Sequence, residues 1–138
     1  MSKPLSGVIA AIATPIDETG APDLKRAVNL ARYLLDNGCD GLNVLGTTGE
    51  ATSFSVDERK GVMGAYKENG LPMHRLMVGT GAASVTDAVA LTRHAAELGF
   101  GGALVLPPFY YKGVPDGGLV AYIESLVKAT EQRPIPIY

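Results

Sequence analysis

Apolar positions recur along this chain with helical and strand periods in alternation. Leu24, Ala27, Val28, Ala31, Leu34 and Leu35 step by three and four residues, which predicts an amphipathic helix that stops at Asn37-Gly38. The short apolar run Gly41-Leu42-Asn43-Val44-Leu45 follows and reads as a buried strand. A second helix is predicted from about Ser55 to Asn69. Ser55 and Glu58 stand in capping-box spacing, Val62, Met63 and Tyr66 share a face, and Gly70 closes it. Leu76-Met77-Val78-Gly79-Thr80 predicts a third strand, and Ser84 with Asp87 opens a helix that turns Val85, Ala88, Val89, Ala95 and Ala96 inward. Gly102 to Leu106 predicts a fourth strand. A loop from Pro107 to Gly118 then leads to a helix with Leu119, Tyr122, Ile123, Leu126 and Val127 on one face, and Pro134 to Tyr138 begins a fifth strand.

The amino terminus, Lys3 followed by the apolar residues Val8 to Ala13, has the outline of a short signal peptide. Thr14-Pro15-Ile16-Asp17 and a turn at Gly20 lead straight into the first helix, however, which is how a first strand and its loop would read. Strand and helix thus alternate at a spacing of about 30 residues, the signature of an α/β fold with parallel strands joined by crossover helices. Residues 37–45 and 98–106 echo one another: a helix-ending glycine, a second glycine, then an apolar strand. A repeated βα unit without a dinucleotide fingerprint favours a (β/α)8 TIM barrel over an open doubly wound sheet. Such a barrel needs about 250 residues and eight strands. Residues 1–138 supply about four and a half units and stop on an apolar strand. The expectation is therefore a partial TIM-barrel domain, the amino-terminal part of a longer protein, truncated at the start of the fifth strand.

Composition narrows the function classes. With 46% hydrophobic residues the chain can bury a core. A net charge of −2 and the absence of Lys/Arg runs argue against nucleic acid or an anionic membrane as the main partner. No run approaches the roughly 18 apolar residues of a membrane span. Cys39 is the one cysteine, which allows no internal disulfide and suits a reducing compartment, so a cytoplasmic location is expected.

The chemistry concentrates at Gly46-Thr47-Thr48-Gly49-Glu50, directly after the second strand. Two glycines free the backbone to approach a ligand, and two hydroxyls with backbone N–H groups suit a small carboxylate or phosphate. No Gly-Lys-Ser/Thr follows, so this is not a P-loop. Composition alone equally admits a Gly/Thr-rich connection with no ligand. His74 and His94 are isolated, with no ligand-spaced partners.

Ala13-Thr14-Pro15 after the first strand, Gly46–Glu50 after the second, Gly79-Thr80-Gly81 after the third, Pro107-Pro108-Phe109-Tyr110-Tyr111 after the fourth and the closing Ile137-Tyr138 together resemble the dihydrodipicolinate synthase and N-acetylneuraminate lyase family. The resemblance spans the chain. It implies a class I aldolase on a TIM barrel, generally a homotetramer built as a dimer of dimers, in which a lysine on the sixth strand forms a Schiff base with pyruvate before a second carbonyl substrate reacts. It implies no cofactor and no metal. Carried over, Thr47, Tyr110 and Tyr138 resemble the catalytic proton relay, Tyr110 reaching into a neighbouring subunit, while Thr48 with Gly46 and Gly49 resembles the pyruvate carboxylate site. Phenol and hydroxyl groups in a chain can move protons on and off a carbinolamine oxygen without placing a fixed charge near pyruvate.

Two departures bear on the second substrate. Synthases of this family usually place asparagine where this chain has Tyr111, and the Phe-Tyr-Tyr order occurs in lyase-type members, whereas Gly-Thr-Thr-Gly-Glu leans toward the synthases. The expectation is an activity closest to 4-hydroxy-tetrahydrodipicolinate synthase, pyruvate plus an aldehyde such as aspartate semialdehyde. The alternatives are a lyase acting on a sugar acid or other 2-oxo acid, and a non-catalytic carboxylate-binding member. Lysine-sensitive relatives hold that effector with asparagine, histidine and tyrosine where this chain has Ala83, Arg59 and Phe109, so the resemblance also implies insensitivity to lysine. Lys112 sits in a glycine-flanked loop with no apolar burial, unlike a Schiff-base lysine.

Overall fold

A computed structural model describes residues 5–138. Lys3, on which the signal-peptide outline begins, lies outside the described residues. Strands β1 (Ile9–Ala11), β2 (Gly41–Val44), β3 (Leu76–Gly79) and β4 (Gly102–Leu104) form one sheet in the order β1-β2-β3-β4, every neighbouring pair parallel. Ile9 stands opposite Gly41, Leu42 opposite Leu76, and Val78 opposite Ala103. Helices α1 (Leu24–Asp36), α2 (Val56–Glu68), α3 (Val85–Leu98) and α4 (Asp116–Ala129) follow the strands one by one, and consecutive helices pack on each other.

The helix ends lie where their capping residues put them. Asp23 accepts from Arg26 N, Ser55 and Glu58 complete a capping box, and Ser84 caps α3. The echo between residues 37–45 and 98–106 has a backbone cause: Gly38 and Gly99 both adopt positive φ, at 104° and 85°, just past their helices. The reading of Pro107 to Gly118 as loop is corrected, because α4 begins at Asp116. Pro115 sets an extended φ/ψ before the helix and its carbonyl accepts from Gly118 N and Leu119 N. Two exposed glycines of poor helix propensity are thereby carried into the first turn, and Asp116 complements the dipole there. Val85 and Val127, expected inward, are exposed; Leu91 and Thr92 are buried on α3 instead.

Strands two to four end a residue or more before the apolar runs do, β2 because Leu45 leaves it with φ 52°. The segment from Pro134 lies beside β4 in parallel, with Ala103 N donating to Pro136 O at 2.8 Å and Tyr138 N to Ala103 O at 2.8 Å. It meets β4 through a bridge at Ile137 rather than as a full strand. Alternation along the strands divides the sheet into two faces. Leu42, Val44, Leu76, Val78 and Ala103 are all at most 1% exposed and meet Val28, Val62, Met63, Leu91 and Leu126 from the helices. The other face carries Ile9, Ala11, Gly41, Asn43, Met77, Gly79, Gly102 and Leu104, small or partly exposed. Among the described residues no helix is long and apolar enough to cross a membrane.

Candidate functional site

The Gly46–Glu50 turn rises from the carboxyl end of β2 and is bracketed by two non-glycine residues in the left-handed region, Leu45 at φ 52° and Glu50 at φ 50°. Such conformations cost on the order of 1 kcal/mol or more and persist where the surroundings over-determine them. The surroundings here are close. A Cβ on Gly49 would lie 3.0 Å from Leu45 N and 3.1 Å from Ile12 O, and one on Gly46 would lie 2.8 Å from Asn43 Nδ2. Gly49 therefore serves close approach of backbone and Gly46 that of the Asn43 amide, and the positive φ falls on their neighbours. Thr14, from the loop after β1, donates its hydroxyl to Gly49 O at 2.8 Å and ties the first loop to the turn. Glu50 N donates to Thr47 O, and a short 3-10 helix over Ala51–Ser53 carries the chain to α2.

Thr47 and Thr48 are exposed at the apex. Thr47 and Gly46 line a cleft of about 180 Å³ whose walls include Leu45, Leu104 and Leu106 and, from three further elements, Arg59, Gly81 and Phe109. Arg59 is 4% exposed and donates through Nη2 to Gly79 O at 2.8 Å and Gly81 O at 3.1 Å, while its Nε has no partner. No carboxylate pairs with it among the described residues, where the ion pairs are Arg26–Asp23 and His94–Glu97. Burial holds its pKa below the usual arginine value, opposed by Tyr122 and Asp87. Tyr122 donates to Ala82 O at 2.8 Å, and burial raises its phenol pKa.

The predicted residues are brought together only in part. Thr47, Thr48, Gly46 and Gly49 share one turn. Tyr110 is 74% exposed on the loop after β4, its ring edge-on to Tyr111 with centroids 5.2 Å apart, and only its neighbour Phe109 reaches the cleft. Tyr138, 47% exposed, lays its ring over Gly102 at the start of β4: a Cβ there would be 2.6 Å from Cε2. The Tyr138 backbone lies opposite Leu104 at the carboxyl end of β4, where its carbonyl accepts from Val105 N at 3.0 Å. Among the described residues no hydrogen bond joins the hydroxyls of Thr47, Tyr110 and Tyr138. Lys112 donates to Phe109 O at 2.9 Å in its exposed loop. No group of three or more His, Cys, Asp or Glu among the described residues could hold a metal ion.

Two contributors were not read as parts of the threonine site from the sequence: Arg59, which the resemblance set only at an effector position, and Asn43. Arg59 has a signal in the sequence, since it falls on the inward stripe of α2 three and four residues before Val62 and Met63. Asn43 stands in an apolar strand on the sheet's open face, against Gly46, with its Oδ1 buried and unpartnered. Its place beneath the turn follows from strand alternation alone.

The model of the dihydrodipicolinate synthetase family matches residues 4–138. The 4-hydroxy-tetrahydrodipicolinate synthase of Synechococcus sp. (strain CC9605) is 40% identical over 135 residues, which covers 98% of this chain and 44% of that protein. That of Prochlorococcus marinus (strain MIT 9303) is 38% identical over 135 residues, with the same coverage of 98% and 44%. Among solved structures, dihydrodipicolinate synthase from Agrobacterium tumefaciens superposes with a TM-score of 0.87 at 30% identity, over 94% of this chain and 46% of that one. N-acetylneuraminate lyase from Proteus mirabilis superposes with a TM-score of 0.85 at 33% identity, over 99% and 46%. The chain thus spans less than half the length of these relatives.

Proposed function

The chain belongs to the dihydrodipicolinate synthetase family, and from that premise we propose that the full-length protein is a pyruvate-dependent Schiff-base lyase closest to 4-hydroxy-tetrahydrodipicolinate synthase. Residues 1–138 form the amino-terminal part of its TIM barrel, about four and a half βα units, with the Schiff-base lysine on the sixth strand, outside these residues. The observation that carries this reading is the Gly46–Glu50 turn. It presents two free threonine hydroxyls beyond the carboxyl end of a parallel strand, the end at which barrel enzymes build their sites.

In this reading Thr48, with the backbone of Gly46 and Gly49, binds the pyruvate carboxylate. The lysine amine adds to the pyruvate carbonyl to give a carbinolamine, whose oxygen must be protonated to leave as water. Thr47 passes that proton between Tyr138 and a neighbouring subunit's copy of the Tyr110 phenol. Among the described residues Tyr110 is 74% exposed, which leaves it reachable for such a role. To take that role Tyr138 would have to turn its ring from Gly102 toward Thr47. The protein would act in the cytoplasm as a homotetramer, on pyruvate and an aldehyde such as aspartate semialdehyde. The Phe109-Tyr110-Tyr111 order favours a second reading, a lyase of the same family acting on a sugar acid.

The test is borohydride trapping. With pyruvate and borohydride the full-length protein should gain one pyruvyl adduct per chain, on a lysine beyond residue 138, and residues 1–138 alone should gain none. A lysine must be partly neutral to attack a carbonyl, and Lys25, Lys60, Lys67, Lys112 and Lys128 lie in helices or loops rather than on the sheet. An adduct on any of them, blocked by a pyruvate analogue, would overturn the assignment. Turnover with aspartate semialdehyde against a sugar-derived aldehyde separates the two substrate readings.

A further inference from the structure

Arg59 stands in the first turns of α2, yet its guanidinium crosses to the end of β3 and bridges two main-chain carbonyls, Gly79 O and Gly81 O. The residue between them, Thr80, is fully buried; its N donates to Leu104 O at 3.0 Å, and its hydroxyl lies 2.8 Å from that of Thr92. Arg59 therefore braces from one side a turn that β4 and α3 hold from the other. A guanidinium removed from water without a carboxylate has to be compensated by acceptors, and these two carbonyls are the acceptors present.

The brace bears on the binding turn through one contact. A Cβ at Gly79 would overlap Leu45 O at 1.8 Å and approach Gly46 Cα at 3.2 Å, so the backbone of β3 lies directly against the residue that turns out of β2 in the left-handed region. Thr47 and Thr48 hang from that residue. A displacement of Gly79 toward β2 would press directly on Leu45 and Gly46, because close-packed interiors transmit strain.

From these contacts we infer that Arg59 is a positioning residue for the threonine turn: by clamping Gly79 and Gly81 it holds Leu45 and Gly46, and through them the hydroxyls of Thr47 and Thr48. The inference rests on the proposed role of those threonines for its kinetic arm and on geometry alone for its exchange arm.

The experiment compares full-length wild type with Arg59→Met, which keeps the bulk and loses every N–H, and Arg59→Lys, whose ammonium can reach one carbonyl. Amide hydrogen exchange is read by residue, and pyruvate kinetics are expressed per competent site as counted by borohydride trapping. In Arg59→Met the amides of Glu50 and Ala51, which donate to Thr47 O and Gly46 O, should exchange about tenfold faster or more, while those of residues 27–35 in α1 keep the wild-type rate. The pyruvate KM should rise about tenfold with a smaller change in kcat per competent site, and Arg59→Lys should fall between. Faster exchange confined to residues 79–81, or spread evenly into α1 with an unchanged KM, would overturn the inference and leave Arg59 a fold-stabilising residue. If Arg59→Met does not fold, the same comparison of exchange in Arg59→Lys decides. If wild type forms no adduct, the proposed activity falls while the exchange result still decides for or against Arg59.

Discussion

The turn after β2 and the loop after β4 both carry hydroxyls proposed to move protons, and they are held in opposite ways. Gly46–Glu50 is pressed on by Ile12, Asn43 and Gly79 and tied by Thr14. The loop that carries Tyr110 and Tyr111 has an edge-on pair of exposed rings and one lysine-to-carbonyl bond. A group that works inside its own sheet can be positioned by that sheet. A group that works elsewhere must be left reachable, and its order then comes from whatever it meets. The cleft is where the two regions touch, Thr47 from one and Phe109 from the other.

Four substitutions and one inhibition assay would break or sharpen that contrast. The largest effect is expected from Gly79→Ala, whose new methyl would overlap the Leu45 carbonyl. Full-length protein should lose more than about 3 kcal/mol of unfolding free energy in a denaturant titration, and a loss under about 1 kcal/mol would show that the turn is not braced from β3. Next come the two threonines. Thr47→Val should slow turnover roughly a hundredfold, as for a broken proton relay, whereas Thr48→Val should mainly weaken pyruvate binding through loss of a charge-assisted hydrogen bond worth about 1.5–3 kcal/mol. Steady-state kinetics of both variants close to wild type would return the turn to a plain connection. Tyr110→Phe should leave stability within about 0.5 kcal/mol, since its hydroxyl is exposed, and still slow turnover. A clear drop in melting temperature would mean that the loop is as firmly held as the turn. Smallest of all, lysine at sub-millimolar concentration should not inhibit, because at the effector position implied by the resemblance Ala83 offers no amide, Phe109 no hydroxyl and Arg59 a like charge. Strong inhibition in a rate assay would show that this position receives a cation despite Arg59.

Much of the architecture was legible because it depends on near neighbours. The capping box at Ser55 and Glu58, the helix-ending Gly38 and Gly99 and the alternating apolar strands each act within a few residues, so their patterns survive in one dimension. The start of α4 was not, because Gly117 and Gly118 have the propensity of a loop and are overridden by Pro115, Asp116 and the burial of Tyr122 and Leu126 further along the helix. Val85 and Val127 were placed inward by period alone, which cannot tell the middle of an apolar stripe from its edge.

By itself the sequence determined the alternation of strands and helices, the family resemblance and the place of the Thr47-Thr48 turn at a strand's carboxyl end. Local backbone preference and side-chain period decide all of these. Only the tertiary structure decided why Gly79 must be glycine and why Gly46 and Gly49 are tightly packed, since the atoms they meet, Leu45 O, Asn43 Nδ2 and Ile12 O, are brought there by the packed chain. It also turned Arg59 from a residue on an apolar stripe into a clamp on Gly79 and Gly81, because a guanidinium's role is set by the acceptors within its reach. Those acceptors are backbone carbonyls some twenty residues away, and the identities of the residues that carry them do not announce it.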